Sequence, residues 1–413
     1  MSESAGNVPN VRIGLLGRGT VGGAFHELLA DRADAVAAAS GRRPEITGVL
    51  RRDEGDFEEI LAGSDLIVEL IGGIEPAREY VLAALRAGKP VVTANKQLVA
   101  QYGDELFEAA REAGVQLRFE AAVAGAVPVI RVVQEGHGVL PIERISGIVN
   151  GTTNFILSEM ADTGASYADV LARAQELGYA EADPTDDVNG ADAAAKMAIL
   201  ARLAFDTRVG LEDVSFEGIT EIRPDDLAYA KGLGLSLKLL GVAELHGDEI
   251  SVRVFPCFLY RGHPLAPVEG PFNAVTLEGP TISEITISGP GAGGIETASA
   301  VLADVSSILT GEAPVHVADR RLGIRDDLES SFYLHLEVAD EPGVLARVAD
   351  VIGRNGISVK SVVQRGTGRE ASLVMVTHRA PESSFYAALE SISELDFLGA
   401  PPRAIRVIEK EYS

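Results

Sequence analysis

The chain has 413 residues, 46% apolar and 23% charged, with a single cysteine (Cys257) and a formal net charge of −25. That length is enough for two to three domains with real cores. One cysteine excludes an internal disulfide framework and fits a reducing cytoplasm, and the lack of a Cys/His cluster speaks against zinc. The acidic balance speaks against nucleic acid and anionic membranes as partners.

No run of about 18 apolar residues could span a bilayer. The opening "MSESAGNVPN" has neither a basic nor an apolar leader segment, so the expected location is cytoplasmic. Only 7 of the 36 basic residues are lysine. A lysine inside a motif therefore stands out from the surface.

Short apolar runs at 11–16, 45–50, 65–70, 89–94 and 115–123 alternate with helical patterns such as "AREYVLAALRAGK" and "DELFEAAREAG". Short buried strands alternating with helices give an α/β fold with a parallel, Rossmann-like sheet, assigned to residues 10–135. An α+β unit follows over 136–320, opening with the strand "IERISGIV". The helix "SYADVLARAQELG" ends at Gly178, a C-cap glycine. "EISVRVFPCFLY" and "ISEITISG" read as strands, and the glycine-led helix near 291–310 is expected to return to the first domain. Lys231 and Lys238, seven apart, read as sharing a helical face. After the polar link "RLGIRDDLESS", residues 330–413 follow βαββαβ, the ferredoxin-like order.

Gly17-Arg18-Gly19-Thr20-Val21-Gly22 fits G-x-G-x-x-G between a strand and a helix. There the glycines permit a tight turn, close approach to a pyrophosphate and close helix–strand packing, while the helix N-terminus supplies N–H donors. The second strand ends Leu50-Arg51-Arg52-Asp53. An acid at this point suits the ribose of NAD, whereas guanidinium groups suit a 2′-phosphate. The two arginines favour NADP, with NAD left open by Asp53.

"ELGYAEADPTDDVNGADAAAKMA" crowds Glu181, Asp183, Asp186, Asp187 and Asp192 ahead of Lys196. Asp192 and Lys196, four apart on a helix, share one face. They read either as an ordinary surface pair or as a carboxylate that collects an ammonium group beside a proton-carrying lysine. Asp186 and Asp187 read as surface or capping groups, and Asp183 is left undecided.

This stretch, together with "VELIGG", "TANKQLVA", "EAAVAGAVPVI" and "NGTTNFIL", resembles the homoserine dehydrogenase family, in family order over residues 10–320. The tail around Asp340-Glu341-Pro342-Gly343-Val344 resembles an ACT domain, a small-ligand regulatory module. The resemblance implies interconversion of L-homoserine and L-aspartate 4-semialdehyde with a nicotinamide cofactor. It makes Lys196 the proton donor and Lys96 a second active-site lysine. Glu181 and Asp192 become substrate-binding residues, and Thr93, Gly178 and Gly291 cofactor neighbours.

It also implies a sodium-like monovalent cation held by Glu120, Val123, Gly125 and Val127, mainly through carbonyls. An amino acid, threonine by pathway logic, would act at Asp340, Gly343 and Val344; the alternative is a dimerisation module without a ligand. Apolar faces expected on the middle sheet and on the tail point to a homodimer or homotetramer. The segment "RRDEGDFEEILAGS" is shorter than the family pattern, so adenosine-side contacts are not carried over. Two other readings stand beside this one. Another Rossmann oxidoreductase would show drift in the substrate stretch, and a non-catalytic amino-acid sensor would lose one or both lysines.

Overall fold

Strand β1 (Asn10–Leu16) leaves Ile13, Leu15 and Leu16 fully buried, the mark of a strand covered on both faces. It is the centre of the first unit of the computed structural model, which describes residues 8–136, 140–317, 320–366 and 371–408. Helix α1 (Thr20–Ser40), β2 (Arg43–Leu50), α2 (Phe57–Gly63), β3 (Leu66–Glu69), α3 (Ala77–Arg86), β4 (Val91–Thr93), α4 (Lys96–Ala113) and β5 (Leu117–Arg118) follow. The five strands are parallel in the order β2-β1-β3-β4-β5. The order reverses between β1 and β3, and the strand ends there open a crevice of the kind that takes ligands in such sheets.

The second unit comprises α5 (Val129–Glu135), β6 (Arg144–Ile148), α6 (Gly151–Thr163), α7 (Tyr167–Glu176), α8 (Thr185–Val188), α9 (Ala191–Ala204), β7 (Ser215–Phe216), α10 (Pro224–Gly232), β8 (Leu235–His246), β9 (Glu249–Tyr260), β10 (Phe272–Gly279), β11 (Ser283–Pro290) and α11 (Gly294–Thr310). Its antiparallel sheet runs β11-β10-β6-β8-β9. Helix α9 is an alanine-rich rod buried almost throughout, because its small side chains let it lie close to the sheet. Helix α11 packs back on α1, sharing a core of Phe25, Leu29, Val301 and Val305 with β1.

Lys231 and Lys238 do not share a helix face. Helix α10 stops at Gly232, Gly234 takes a left-handed turn, and the alternation Leu235, Leu237, Leu239 makes a strand that carries Lys238.

After β12 (Gly323–Ile324), the C-terminal unit runs β13 (Glu329–Val338), α12 (Val344–Arg354), β14 (Val359–Arg365), β15 (Ala371–Thr377), β16 (Ala380–Pro381), α13 (Glu382–Ser393) and β17 (Arg403–Ile408). Its order β17-β13-β15-β14 is that of a ferredoxin-like sheet. This sheet does not stand apart. Strand β17 pairs in parallel with β9, Val407 opposite Phe258, and the two sheets become one.

Candidate active site

Asp192 sits in the first turn of α9, where the helix dipole favours an anion, and is 3% exposed. The entry is built by Gly190 (φ +92°), where a Cβ would meet Glu217 O at 2.9 Å. One turn on, Lys196 Nζ donates to Asp192 Oδ2 and to Val149 O, both at 2.7 Å. Lys96 Nζ, from the first residue of α4, lies 2.6 Å from the other oxygen, Oδ1. Asn150 Nδ2 donates to Asp192 Oδ2 at 2.9 Å and to Asp187 Oδ1 at 2.7 Å. Its own Oδ1 caps α6 by accepting from Thr153 N.

Burial alone would raise the Asp192 carboxyl. The two ammonium groups and their hydrogen bonds outweigh it and hold the group below the usual carboxylate range. Lys96 loses solvation, but Asp192, and behind it Asp187 and Asp186, raise its ammonium above the ordinary value. Asp187 is pushed up by burial and by the neighbouring Asp192 charge. The site thus holds two cations on one firmly ionised carboxylate, with a second carboxyl more easily protonated beside it.

The other acids divide. Asp183 is exposed and bonded locally, accepting from Thr185 N and Thr185 Oγ1. Asp187, expected at the surface, is half-buried in the centre, because Asn150 and the short helix α8 turn it inward. Glu181 is exposed on the loop after Gly178, outside the lysine cluster. That loop is tethered near α6, since Thr152 Oγ1 donates to Tyr179 O.

The glycine turn closes the other side of the crevice. Gly17 has φ +95°, and a Cβ there would meet Leu70 O at 2.5 Å; a Cβ on Gly22 would collide with Gly17 O. A Cβ on Gly19 would meet nothing within 4 Å, so the backbone is open where a pyrophosphate would approach. Thr20 and Val21 form the first turn of α1, and Thr20 lies against Gly294. A cleft of about 1040 Å³ runs from Gly17 and Gly19 past Arg51, Arg52 and Asp53 to Tyr80. Arg51 Nη1 donates to Glu54 at 2.8 Å, while Arg52 is exposed at the turn.

Family models described as "Homoserine dehydrogenase, NAD binding domain", "Homoserine dehydrogenase" and "ACT domain" match residues 17–120, 128–306 and 333–397. The chain is 43% identical to homoserine dehydrogenase of Corynebacterium glutamicum, covering 96% of this chain and 95% of that protein. It superposes on a homoserine dehydrogenase of Thiobacillus denitrificans with a TM-score of 0.92, at 37% identity, over 97% and 98% of the two chains. A hyperthermophilic archaeal homoserine dehydrogenase in complex with NADPH matches 74% of this chain and 100% of its own, at 26% identity and a TM-score of 0.65.

The chain belongs to the homoserine dehydrogenase family.

A homoserine dehydrogenase is an NAD(P)-dependent oxidoreductase that interconverts L-homoserine and L-aspartate 4-semialdehyde, and this one carries an ACT domain. No helix among the described residues is long and apolar enough to cross a membrane. In this homoserine dehydrogenase Thr93 is fully buried. Its Oγ1 donates to Glu69 Oε2 at 2.6 Å and accepts from Asn95 N at 3.0 Å. Gly178 (φ +77°) follows the last turn of α7. A Cβ on Gly291 would overlap the Asn273 side chain, and Gly291 O lies against Gly125.

The turn at 120–127 is buried except at Ala126, with Ala124 and Gly125 both at φ +58°. The carbonyls of Glu120 and Val127 each accept one backbone N–H, from Val123 and Val129. Among the described residues no backbone donor outside helices and strands reaches the carbonyls of Val123 or Gly125. Buried carbonyls with spare lone pairs are the donor set a hard monovalent cation takes, so the residues present fit one. The Glu120 carboxylate faces away, accepting from Ile130 N and Arg131 N.

In the ACT domain, Asp340, Gly343 and Val344 share the β13–α12 loop. Asp340 accepts from Gln364 Nε2, Gly343 takes φ +95°, and Val344 opens α12.

Two further groups belong to the site. Glu69, the one charged residue in an otherwise apolar β3, is buried and accepts from Ile71 N, Gly72 N and Thr93, joining the ends of β3 and β4. Burial pushes its carboxyl up. A glutamate inside a short buried run is the signal that could have found it. Asn150 carried only the N-x-x-T capping pattern.

Proposed function

We propose that the protein reduces L-aspartate 4-semialdehyde to L-homoserine, reversibly and preferentially with NADP, using Lys196 as the proton donor. The observation that carries this reading is the pair of lysines clamped on Asp192. An ammonium has three N–H bonds. Lys196 directs two at Asp192 and Val149, leaving one for the aldehyde oxygen.

A bound nicotinamide would supply the hydride for the aldehyde carbon. As charge grows on the oxygen, the free N–H of Lys196 passes a proton to it, and two nearby cations lower the cost of that charge. Lys96, the more exposed of the two, suits the substrate carboxylate. Glu181 is assigned to the substrate ammonium group, which requires its exposed loop to fold over bound substrate. Asn150 and Asp192 hold the lysines in place.

Arg52 at the cleft supports the choice of NADP, as does the NADPH bound to the archaeal relative. A monovalent cation would sit on the carbonyls of Glu120, Val123, Gly125 and Val127 and brace the turn against Gly291. The Asp340–Val344 loop would take an inhibitory amino acid, threonine first, in a homodimeric or homotetrameric enzyme.

The deciding experiment follows nicotinamide reduction with L-homoserine, comparing NADP with NAD. Homoserine-dependent reduction favouring NADP supports the reading. Reduction favouring NAD keeps the enzyme and removes the arginine argument. No reduction with bound cofactor removes the substrate assignment. Adding threonine to the same assay tests the inhibition.

A further inference from the structure

Where β17 joins β9, five arginines converge on one cavity of about 240 Å³: Arg144 from β6, Arg253 from β9, Arg325 after β12, Arg379 after β15 and Arg406 from β17. The protein as a whole is strongly acidic, so like charges gathered here stand against its overall balance.

Carboxylates explain part of the cluster. Glu382 accepts from Arg253 Nη1 at 2.7 Å and from Arg406 Nε and Nη2 at 3.0 and 2.7 Å; Glu217 accepts from Arg406 Nη1 at 2.7 Å. Both guanidinium groups also lie over the Phe255 ring, at 5.0 and 4.8 Å. The result is a fixed pair of cations with little freedom to reorganise.

Nε of Arg144 and Nε of Arg253 are buried without a hydrogen-bond partner among the described residues. Arg144 Nε itself stands 3.5 and 3.8 Å from the carboxylates of Glu244 and Glu278, ion pairs without a hydrogen bond, and Glu244 and Glu329 also line the cavity. Ser331, 1% exposed, lines the same cavity with its Oγ unpartnered. Buried donors left unpaired are costly, and arginine forks match the oxygens of phosphates and carboxylates.

We propose that this seam binds a small, multiply charged oxyanion, a phosphate ester or a di- or tricarboxylate. Its ligands come from β6 and β9 of the catalytic sheet, from Arg325 after β12, and from β13 and β17 of the ACT domain, so the anion joins the two units. Neither the glycine turn nor the lysine centre contributes to it.

The test is calorimetric titration of the full-length protein, first saturated with nicotinamide cofactor so that the glycine turn and Arg52 are filled. Pyrophosphate and citrate are the probes, at roughly 0.15 M salt. One-to-one binding of either is expected, with pyrophosphate alone marking the phosphate class and citrate alone the carboxylate class. Arg144→Gln should weaken it roughly 10- to 100-fold, and so should Arg325→Gln, whose exposed side chain leaves the fold undisturbed. Binding that both variants retain, or no binding of either probe to the unaltered protein, overturns the proposal.

Discussion

Lys96 and Lys196 contact opposite oxygens of one carboxylate, that of Asp192, at 2.6 and 2.7 Å. They arrive from different units, α4 of the parallel sheet and α9 beneath the antiparallel one. Asp192 is therefore both the electrostatic centre of the site and a tie between two units. Asp192→Asn keeps the shape and leaves two cations facing each other. Breaking such a pair should cost on the order of 2 to 4 kcal/mol, below the fully buried limit because Lys96 reaches solvent. Turnover should fall with it. Denaturant unfolding measures the first effect, and a change under about 0.5 kcal/mol, ordinary for a surface site, would sink this account.

Lys196→Ala should lower kcat by a factor on the order of 10² to 10⁴, the usual worth of a positioned acid or base. Asp192 keeps Lys96 as partner in this variant, so the fold should persist and homoserine-independent cofactor binding should not change. Steady-state kinetics beside a cofactor titration separate the two. Turnover within a few-fold of the unaltered enzyme would remove Lys196 from proton transfer.

The glycine turn, the strand–helix alternation and the Asp192–Lys196 spacing were legible because each is local, written within one turn of helix or one strand end. Long-range facts were not. Nothing in "TANK" says that Lys96 reaches across to α9, and nothing in Val407 or Phe258 announces that β17 joins β9. Asp187, predicted as a surface or capping group, turns inward for the same reason, since its partner Asn150 lies 37 residues away. Lys238 lies on a strand and not on the helical face that its spacing from Lys231 predicts, because glycines at 232 and 234 end the helix before a period-two strand begins.

Arg51 and Arg52 do not contribute equally to cofactor choice. Arg51 is already paired with Glu54, whereas Arg52 is exposed at the cleft. Arg52→Gln should therefore reduce the NADP-over-NAD ratio of kcat/KM by roughly 10-fold or more, the scale of a charge-assisted phosphate contact. Arg51→Gln should move it less. The reverse order of effects would reassign the 2′-phosphate contact.

Cys257 is fully buried at the centre of the sheet, and burial pushes its thiol up to about 12. Thiolate is the reactive form, so the folded protein should resist thiol reagents at neutral pH and react with one equivalent in denaturant. Labelling followed by mass measurement checks this. Rapid modification of the native enzyme would mean that the β8–β9 region opens.

Glu382 links the ACT domain to the catalytic sheet through Arg253, and pairs with Arg406 of its own domain. Burial alone would raise its carboxyl, but the hydrogen bond and charge of Arg406, with Ser330 and Arg253, bring it down to about 2 from the ordinary 4.5. A carboxylate depressed in the fold contributes stability that is complete above its unfolded value and is lost as pH falls through the folded one. Glu382→Gln should therefore destabilise by on the order of 1 to 3 kcal/mol near neutrality, a value reduced from the full shift because the seam is partly solvated. The gap between the two proteins should narrow as pH drops below about 4.5 and close towards about 2. Melting curves of both across that range test the link, and a gap that stays constant with pH would assign the loss to packing instead of charge.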